Sequence, residues 1–227
     1  FENVGQWKRA WYYPQNGENM HEAVQRESKA ARDSAGILDA STLGKIDIQG
    51  TDASEFLNRV YTNAWSKLEI GKCRYGLMLN EDGMVYDDGV TTRLDENHYI
   101  MTTTTGGAAT VLGKLEDYLQ TEWPELDVYL TSVTDHYATI SVCGPNSKKI
   151  IQKVIPEIDL SDKDFPHMSF KNSKIGKVKC RVMRISFTGE QSYEINIQAN
   201  YAKSVWENCM EAGKEFNITP YGTETMH

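Results

Sequence analysis

Apolar residues along this chain switch between alternate positions and every third or fourth position, and each switch marks an element. From Lys45 to Gln49 the apolar Ile46 and Ile48 alternate with polar residues, as in a half-buried strand. After Gly50, Thr51 and Asp52 supply a helix start, and Ala53, Phe56, Leu57, Val60 and Tyr61 follow at helical spacing. Residues 74–79 and 84–93 read as strands joined by Asn80-Glu81-Asp82-Gly83, a hairpin composition, and residues 98–104 as a third strand. Ala108, Val111, Leu112, Leu115 and Leu119 return to helical spacing and stop before Pro124. Further strands are predicted over 126–133, 137–143 and 179–187, and over 192–198, where Tyr193, Ile195 and Ile197 alternate with Ser192, Glu194, Asn196 and Gln198. Tyr201, Val205, Cys209 and Ala212 form a last helical stripe, and residues 20–34, rich in Ala, Glu, Gln, Lys and Arg, predict an early helix.

The pattern also repeats. With a shift of 94 residues, Ile140 and Val142 fall on Ile46 and Ile48, Gly144 falls on Gly50, and Ile150, Ile151 and Val154 fall on Phe56, Leu57 and Val60. Pro145 is expected at the first position of the second helix. Two strand–Gly–helix units separated by further strands imply an α+β fold: two related modules of mainly antiparallel sheet with helices packed on one face. The expected division assigns residues 1–44 and 130–227 to one discontinuous module and 45–129 to the other. No Pro-, Gly- or Ser-rich linker separates them.

Composition narrows the function classes. The chain has 227 residues, 40% apolar and 25% charged, enough for one or two cores without disulfide staples. Its net charge of -8 disfavours generic attraction to nucleic acid or an anionic membrane, leaving only a local basic pocket open. Without an apolar run near membrane-spanning length, and with a start unlike a secretory signal, the expectation is a cytoplasmic protein. The beginning at Phe1 and the polar ending at His227 predict a piece of a longer chain. Cys73, Cys143, Cys180 and Cys209 form no CxxC pair and read as buried thiols; His21, His98, His136, His167 and His227 show no ligand spacing, so no metal is expected.

The candidate chemistry therefore rests on carboxylates and aromatics. Asp87 and Asp88 lie on an extended segment, where neighbours point to opposite faces, so only one faces any given pocket. Composition favours two solvated strand-end carboxylates; the functional alternative is a carboxylate near a substrate nitrogen, accepting a proton or stabilising positive charge. Glu194, on the polar side of its strand, also reads first as solvated, yet two acceptor oxygens suit an aminopyrimidine edge with adjacent N–H groups. Tyr75 fills a core or stacks on a flat ring, with the core reading ahead. Thr102-Thr103-Thr104-Thr105-Gly106-Gly107 precedes a helix but lacks GxGxxG and a phosphate-loop lysine, so no nucleotide site is expected there.

Asp39-Ala40-Ser41-Thr42-Leu43-Gly44-Lys45-Ile46, Tyr61-Thr62-Asn63, Tyr75 through Gly83, Asp87-Asp88 and Phe187-Thr188-Gly189-Glu190 occur in the order seen in the aminomethyltransferase family, which includes the glycine-cleavage T-protein. The chain resembles that family over most of its length. Val4-Gly5-Gln6-Trp7, Asn63-Ala64-Trp65, Thr102 to Gly107, Gln120 to Pro124 and Thr219 to His227 are similar, in addition, to the alpha subunits of heterotetrameric sarcosine oxidases.

That resemblance implies the aminomethyltransferase folate-binding fold without its C-terminal β-rich domain, and an enzyme role in oxidation at a CH–NH bond. The implied role is to accept the one-carbon unit of oxidised sarcosine on tetrahydrofolate, giving 5,10-methylenetetrahydrofolate. Position by position, it implies a catalytic Asp88 near folate N10, pocket residues Leu43 and Tyr75, and Glu194 holding the pterin edge. Implied partners are tetrahydrofolate, the sarcosine-derived iminium and the other oxidase subunits. FAD, FMN and NAD are expected only in other parts of such a complex, so the 227 residues alone should not oxidise sarcosine. A T-protein-like aminomethyltransferase and a non-catalytic folate-binding regulatory module are the alternatives. Many T-proteins carry an arginine shortly after the Pro-x-Gly matching Pro220-Tyr221-Gly222, where this chain has Met226.

Overall fold

A computed structural model describes residues 1–226, so the His227 end of the last motif lies outside the described residues. The chain forms two compact units: an inserted unit, Leu43–Asp135, and a split unit built from Phe1–Thr42 and the chain from His136 onward.

The inserted unit is a five-stranded antiparallel sheet ordered Cys73–Leu79, Val85–Asp95, His98–Thr103, Gly44–Gln49, Tyr129–Ser132. Alternation puts Ile46, Ile48, Tyr99, Met101 and Met78 on one face, where they meet Phe56 and Leu57 of helix Ala53–Val60 and Val111 and Leu115 of helix Ala108–Asp117. Gly44 permits this closeness, since a Cβ there would lie 2.0 Å from Thr103 Oγ1 and 2.7 Å from Ala108 Cβ. The second helix continues into a π turn, Tyr118–Glu122, and stops before Pro124 as the spacing predicts. The strand expected over 126–133 shortens to Tyr129–Ser132. Asp127 is occupied elsewhere: its N–H donates to Asp52 Oδ2 at 2.9 Å and its carbonyl accepts from Asp52 N, which ties it to the start of helix Ala53–Val60.

The split unit contains, beside the amino-terminal hairpin Glu2–Val4 with Trp7–Arg9, a six-stranded sheet ordered Ser169–Ile175, Val178–Arg184, Ser192–Gln198, Tyr137–Cys143, Gly36–Asp39, Thr219–Pro220, with only the last pair parallel. Ile140, Val142, Tyr193, Ile195 and Ile197 pack under helices Ser147–Val154 and Ala202–Gly213 through Ile150, Ile151, Val205 and Cys209. The strand predicted over 179–187 ends at Arg184, because Ser186 folds the following residues into a turn by donating to the Glu190 carbonyl and accepting from Gly189 N. Pro145 lies in the turn before its helix rather than at the first helical position.

Helix Met20–Asp33 is opened by a complete capping box between Asn19 and Glu22. Its Glu27 is fully buried and accepts from Tyr13 N at 2.6 Å, Gly222 N at 2.9 Å and Thr225 Oγ1 at 2.6 Å. One carboxylate thus joins the amino-terminal strap, the helix and the segment following Tyr221. Gly222 is needed at this closure, since a Cβ would sit 2.0 Å from the Trp11 carbonyl.

Candidate functional site

In the inserted unit, Tyr75 pairs with Val90 and Leu77 with Asp88, so Tyr75 and Asp88 are diagonal neighbours on the face away from the helices. The Tyr75 hydroxyl donates to Asp88 Oδ2 at 2.8 Å. That bond, with Asp88's charge beside it, pushes the Tyr75 phenol up, so the phenol stays a donor and the carboxylate its acceptor. Tyr75 is 50% exposed, which overturns the core reading: the helices took the opposite face, leaving this ring open for stacking. Asn63 Nδ2 donates to the Tyr75 carbonyl at 2.6 Å, fixing the edge strand to the segment after helix Ala53–Val60. The buried Trp65 explains Gly76, where a Cβ would lie 2.6 Å from the indole.

Neither aspartate is the solvated strand-end group composition favours. Asp88 is half-buried. Asp87 is only 5% exposed, opposite Met78 on the helix side, and accepts the Thr104 N–H at 3.3 Å from each oxygen. Burial pushes its carboxyl up, against hydrogen bonds from Thr104 and Asp88 that pull it down. The threonine run braces the backbone, since Thr102 Oγ1 accepts from Val90 N at 2.9 Å and Thr104 Oγ1 from Gly107 N at 3.1 Å. Leu43 is half-buried in the turn before Gly44–Gln49, and its carbonyl accepts from Lys45 Nζ at 2.9 Å.

Glu194 belongs to the split unit. It is half-buried rather than solvated, on the interior strand Ser192–Gln198, between Met183 and Ser141 in register. Buried polar groups line its face: Ser141 and Ser192 share a hydrogen bond at 3.2 Å, and Thr139 Oγ1 donates to Asn196 Oδ1 at 2.9 Å. Burial first, then Cys143 and also Glu194, push the Tyr221 phenol up. Met226 closes the short helical turn Thr223–Met226. A cleft of about 930 Å³ in this unit, lined by Asp159, Lys171, Lys179 and Asn196 among others, holds none of Leu43, Tyr75, Asp88 or Glu194.

Of the four residues singled out as a binding set, the structure therefore joins Tyr75 to Asp88 directly. It adds Asp87 and Thr104, which sequence reasoning did not select. The available signal was Gly107, whose α-region backbone has no need of glycine while its Cβ position lies 3.0 Å from Asp87 Cγ. Among the described residues no group of three or more His, Cys, Asp or Glu is placed to hold a metal ion. No described helix is long and apolar enough to cross a membrane.

The GCVT N-terminal domain family matches residues 1–227. The chain is 59% identical over its whole length to a sarcosine oxidase alpha subunit of Corynebacterium sp. strain U-96, and 48% identical to that of Rhizobium meliloti. It spans about a quarter of those relatives, 24% and 23% of their lengths. An aminomethyltransferase of Thermoanaerobacter sp. is 32% identical over 88% of this chain and 53% of its own length. Among solved structures, glycine cleavage system aminomethyltransferase T from Bartonella henselae superimposes with a TM-score of 0.80 at 21% identity, covering 100% of this chain and 56% of that one. The strand order, the paired modules and a match that leaves no residue outside it agree, and this chain belongs to the GCVT N-terminal domain family.

Proposed function

We propose that this chain is a tetrahydrofolate-binding domain of a sarcosine oxidase alpha subunit, accepting the one-carbon unit released when sarcosine is oxidised, to form 5,10-methylenetetrahydrofolate. The observation that carries this reading is the Tyr75–Asp88 hydrogen bond, an open aromatic ring paired with a half-buried carboxylate, in a chain 59% identical to such a subunit. Bound tetrahydrofolate supplies the nucleophilic nitrogens. Tyr75 offers its exposed face to a flat ring and its hydroxyl to Asp88. Asp88, which accepts that hydroxyl's hydrogen bond, takes the proton lost from the attacking nitrogen and stabilises cationic charge beside it. Leu43 contributes an apolar contact. Glu194, held on an interior strand, accepts two parallel N–H bonds from the aminopyrimidine edge. Oxidation of sarcosine is assigned to the partner subunits and other regions with their flavins and NAD.

The test is titration with a stable reduced folate together with single-turnover product analysis in the presence of the oxidase partners. Glu194→Ala should weaken binding by about 10- to 100-fold, the loss of one charge-assisted pair worth roughly 1.5–3 kcal/mol. Asp88→Ala should bind folate normally but form methylenetetrahydrofolate roughly 10²–10⁴-fold more slowly, with formaldehyde released in its place. Equal affinity for Glu194→Ala and parent, or a parental transfer rate for Asp88→Ala, would remove the corresponding assignment.

A further inference from the structure

Asp88 has a weakly braced side chain, because its bond to Tyr75 leads to an exposed residue of an edge strand. Its position must come from the backbone of Val85–Asp95, and the ladder around it is irregular on both sides. Toward His98–Thr103 the regular register stops at Thr91 opposite Met101. Beyond that rung, Val90 N donates to the Thr102 side chain, and Gly89 is pressed so close that a Cβ would lie 1.9 Å from the Thr102 carbonyl. Toward Cys73–Leu79 the register slips between Met78 and Leu79, immediately past the Met78–Asp87 pair. Asp87 therefore stands at the last regular rung on one side and beyond it on the other. There its carboxylate receives the Thr104 N–H on both oxygens, and Thr104 is itself tied to Gly107 at the start of helix Ala108–Asp117.

We propose that Asp87 is a positioning residue for the one-carbon transfer: pinned from behind by Thr104 and the helix start, it fixes the strand segment that presents Asp88. This rests on the catalytic reading of Asp88. A simple fold anchor at this place would be better served by a neutral side chain, since a buried carboxylate without a cation is costly. Asp87 enters no ion pair among the described residues. The groups facing it are Met78, Thr104, Gly107, the neighbouring Asp88 and the Tyr61 phenol, which is pushed up by burial and then by the two aspartates. A carboxylate buried without a cation, held by the Thr104 N–H beside the first turn of the helix, is the pattern of a residue retained for function.

The sign of the linkage makes this testable. Because the folded protein raises Asp87's proton affinity, Asp87 contributes most to stability when protonated, and that contribution is lost as pH rises through the group's folded value. Asp87→Asn should therefore keep or raise the melting temperature above that pH while lowering kcat for methylenetetrahydrofolate formation by about 10²-fold, the usual consequence of a misplaced catalytic group. KM for folate should stay within about twofold. On an Asp88→Asn background the second change should slow transfer no further, since Asp87 acts through Asp88. Gly107→Ala, which crowds the same carboxylate without removing it, should reproduce the kcat defect. A parallel fall in melting temperature and kcat, an additive loss in the double variant, or an unchanged kcat for Asp87→Asn each overturns the proposal. The Asp88→Asn single variant reports separately on the reading beneath it: transfer at the parental rate there sinks both, whereas a dead Asp88→Asn beside a normal Asp87→Asn sinks only the positioning role.

Discussion

In the inserted unit Gly44–Gln49 runs through Gly50, with φ +138°, into helix Ala53–Val60; in the split unit Tyr137–Cys143 runs through Gly144, with φ +103°, into helix Ser147–Val154. The buried helix positions correspond one for one, Ala53, Phe56 and Leu57 against Ser147, Ile150 and Ile151. In each unit the next three strands return in reverse order to lie beside the leading strand. The units differ in what sits on the other side of that strand: the later Tyr129–Ser132 in one, the earlier Gly36–Asp39 in the other, which displaces Thr219–Pro220 outward into a parallel pairing. They differ as well in where a carboxylate leaves the helix-free face. Asp88 stands next to the edge strand, paired with an exposed tyrosine; Glu194 stands on an interior strand, flanked on both sides. The same scaffold thus places one carboxylate beside an edge strand, bonded to an exposed ring, and the other in the middle of a sheet, a difference that the proposed function reads as proton movement in one case and geometric recognition in the other.

The comparison is broken most severely at the shared helix positions. Phe56→Ala should cost about 3–5 kcal/mol and Ile150→Ala about 2–5 kcal/mol in denaturant unfolding. Hydrogen exchange should accelerate mainly in the unit mutated; exchange that rises equally in both would show that the repeat does not make two stability units. Next come the hinge glycines. Gly50→Ala and Gly144→Ala place a Cβ 1.9 Å from the Asp127 carbonyl and 2.4 Å from the Ala31 carbonyl, at backbone angles that L-residues avoid. Each should destabilise by roughly 1–3 kcal/mol, and two neutral results would remove the case for equivalent turns. The smallest effect separates the units: Asn19→Ala should lose about 1 kcal/mol through the capping box of helix Met20–Asp33. Helices Ala53–Val60 and Ala108–Asp117 of the inserted unit have no side-chain cap bond to lose.

What was legible in the sequence is what periodicity controls. Residues 137–143 and 192–198 are strands from end to end, and Gly50 and Gly144 announce the same turn because their following apolar positions match. Alternation says that Asp87 and Asp88 oppose each other, but not which one faces inward. That is decided by Thr104 N–H and the bare Gly107, contacts made across the sheet. Tyr75 misled for the same reason, since an aromatic on an alternating strand reads as core until the helices choose a face. Gly36–Asp39 and Thr219–Pro220 are too short to carry a period, and Ser169–Ile175 is an edge strand whose Lys171, Asn172 and Lys174 hide any apolar rhythm. The amino-terminal hairpin Glu2–Val4 with Trp7–Arg9 is likewise too brief to show. Glu27 sits in a helix predicted from its Ala, Glu, Gln, Lys and Arg content, which does not say which face is buried; its burial depends on partners from the far end of the chain.

That last dependence has a meaning for synthesis. A ribosome delivers Glu27 long before its partners Gly222 and Thr225, which lie 195 and 198 residues later. Throughout that interval the carboxylate can stay hydrated, while the inserted unit, continuous in sequence and rich in hairpins, already has all of its strands. The segment around Glu27, made before the inserted unit, is thus locked in place after it.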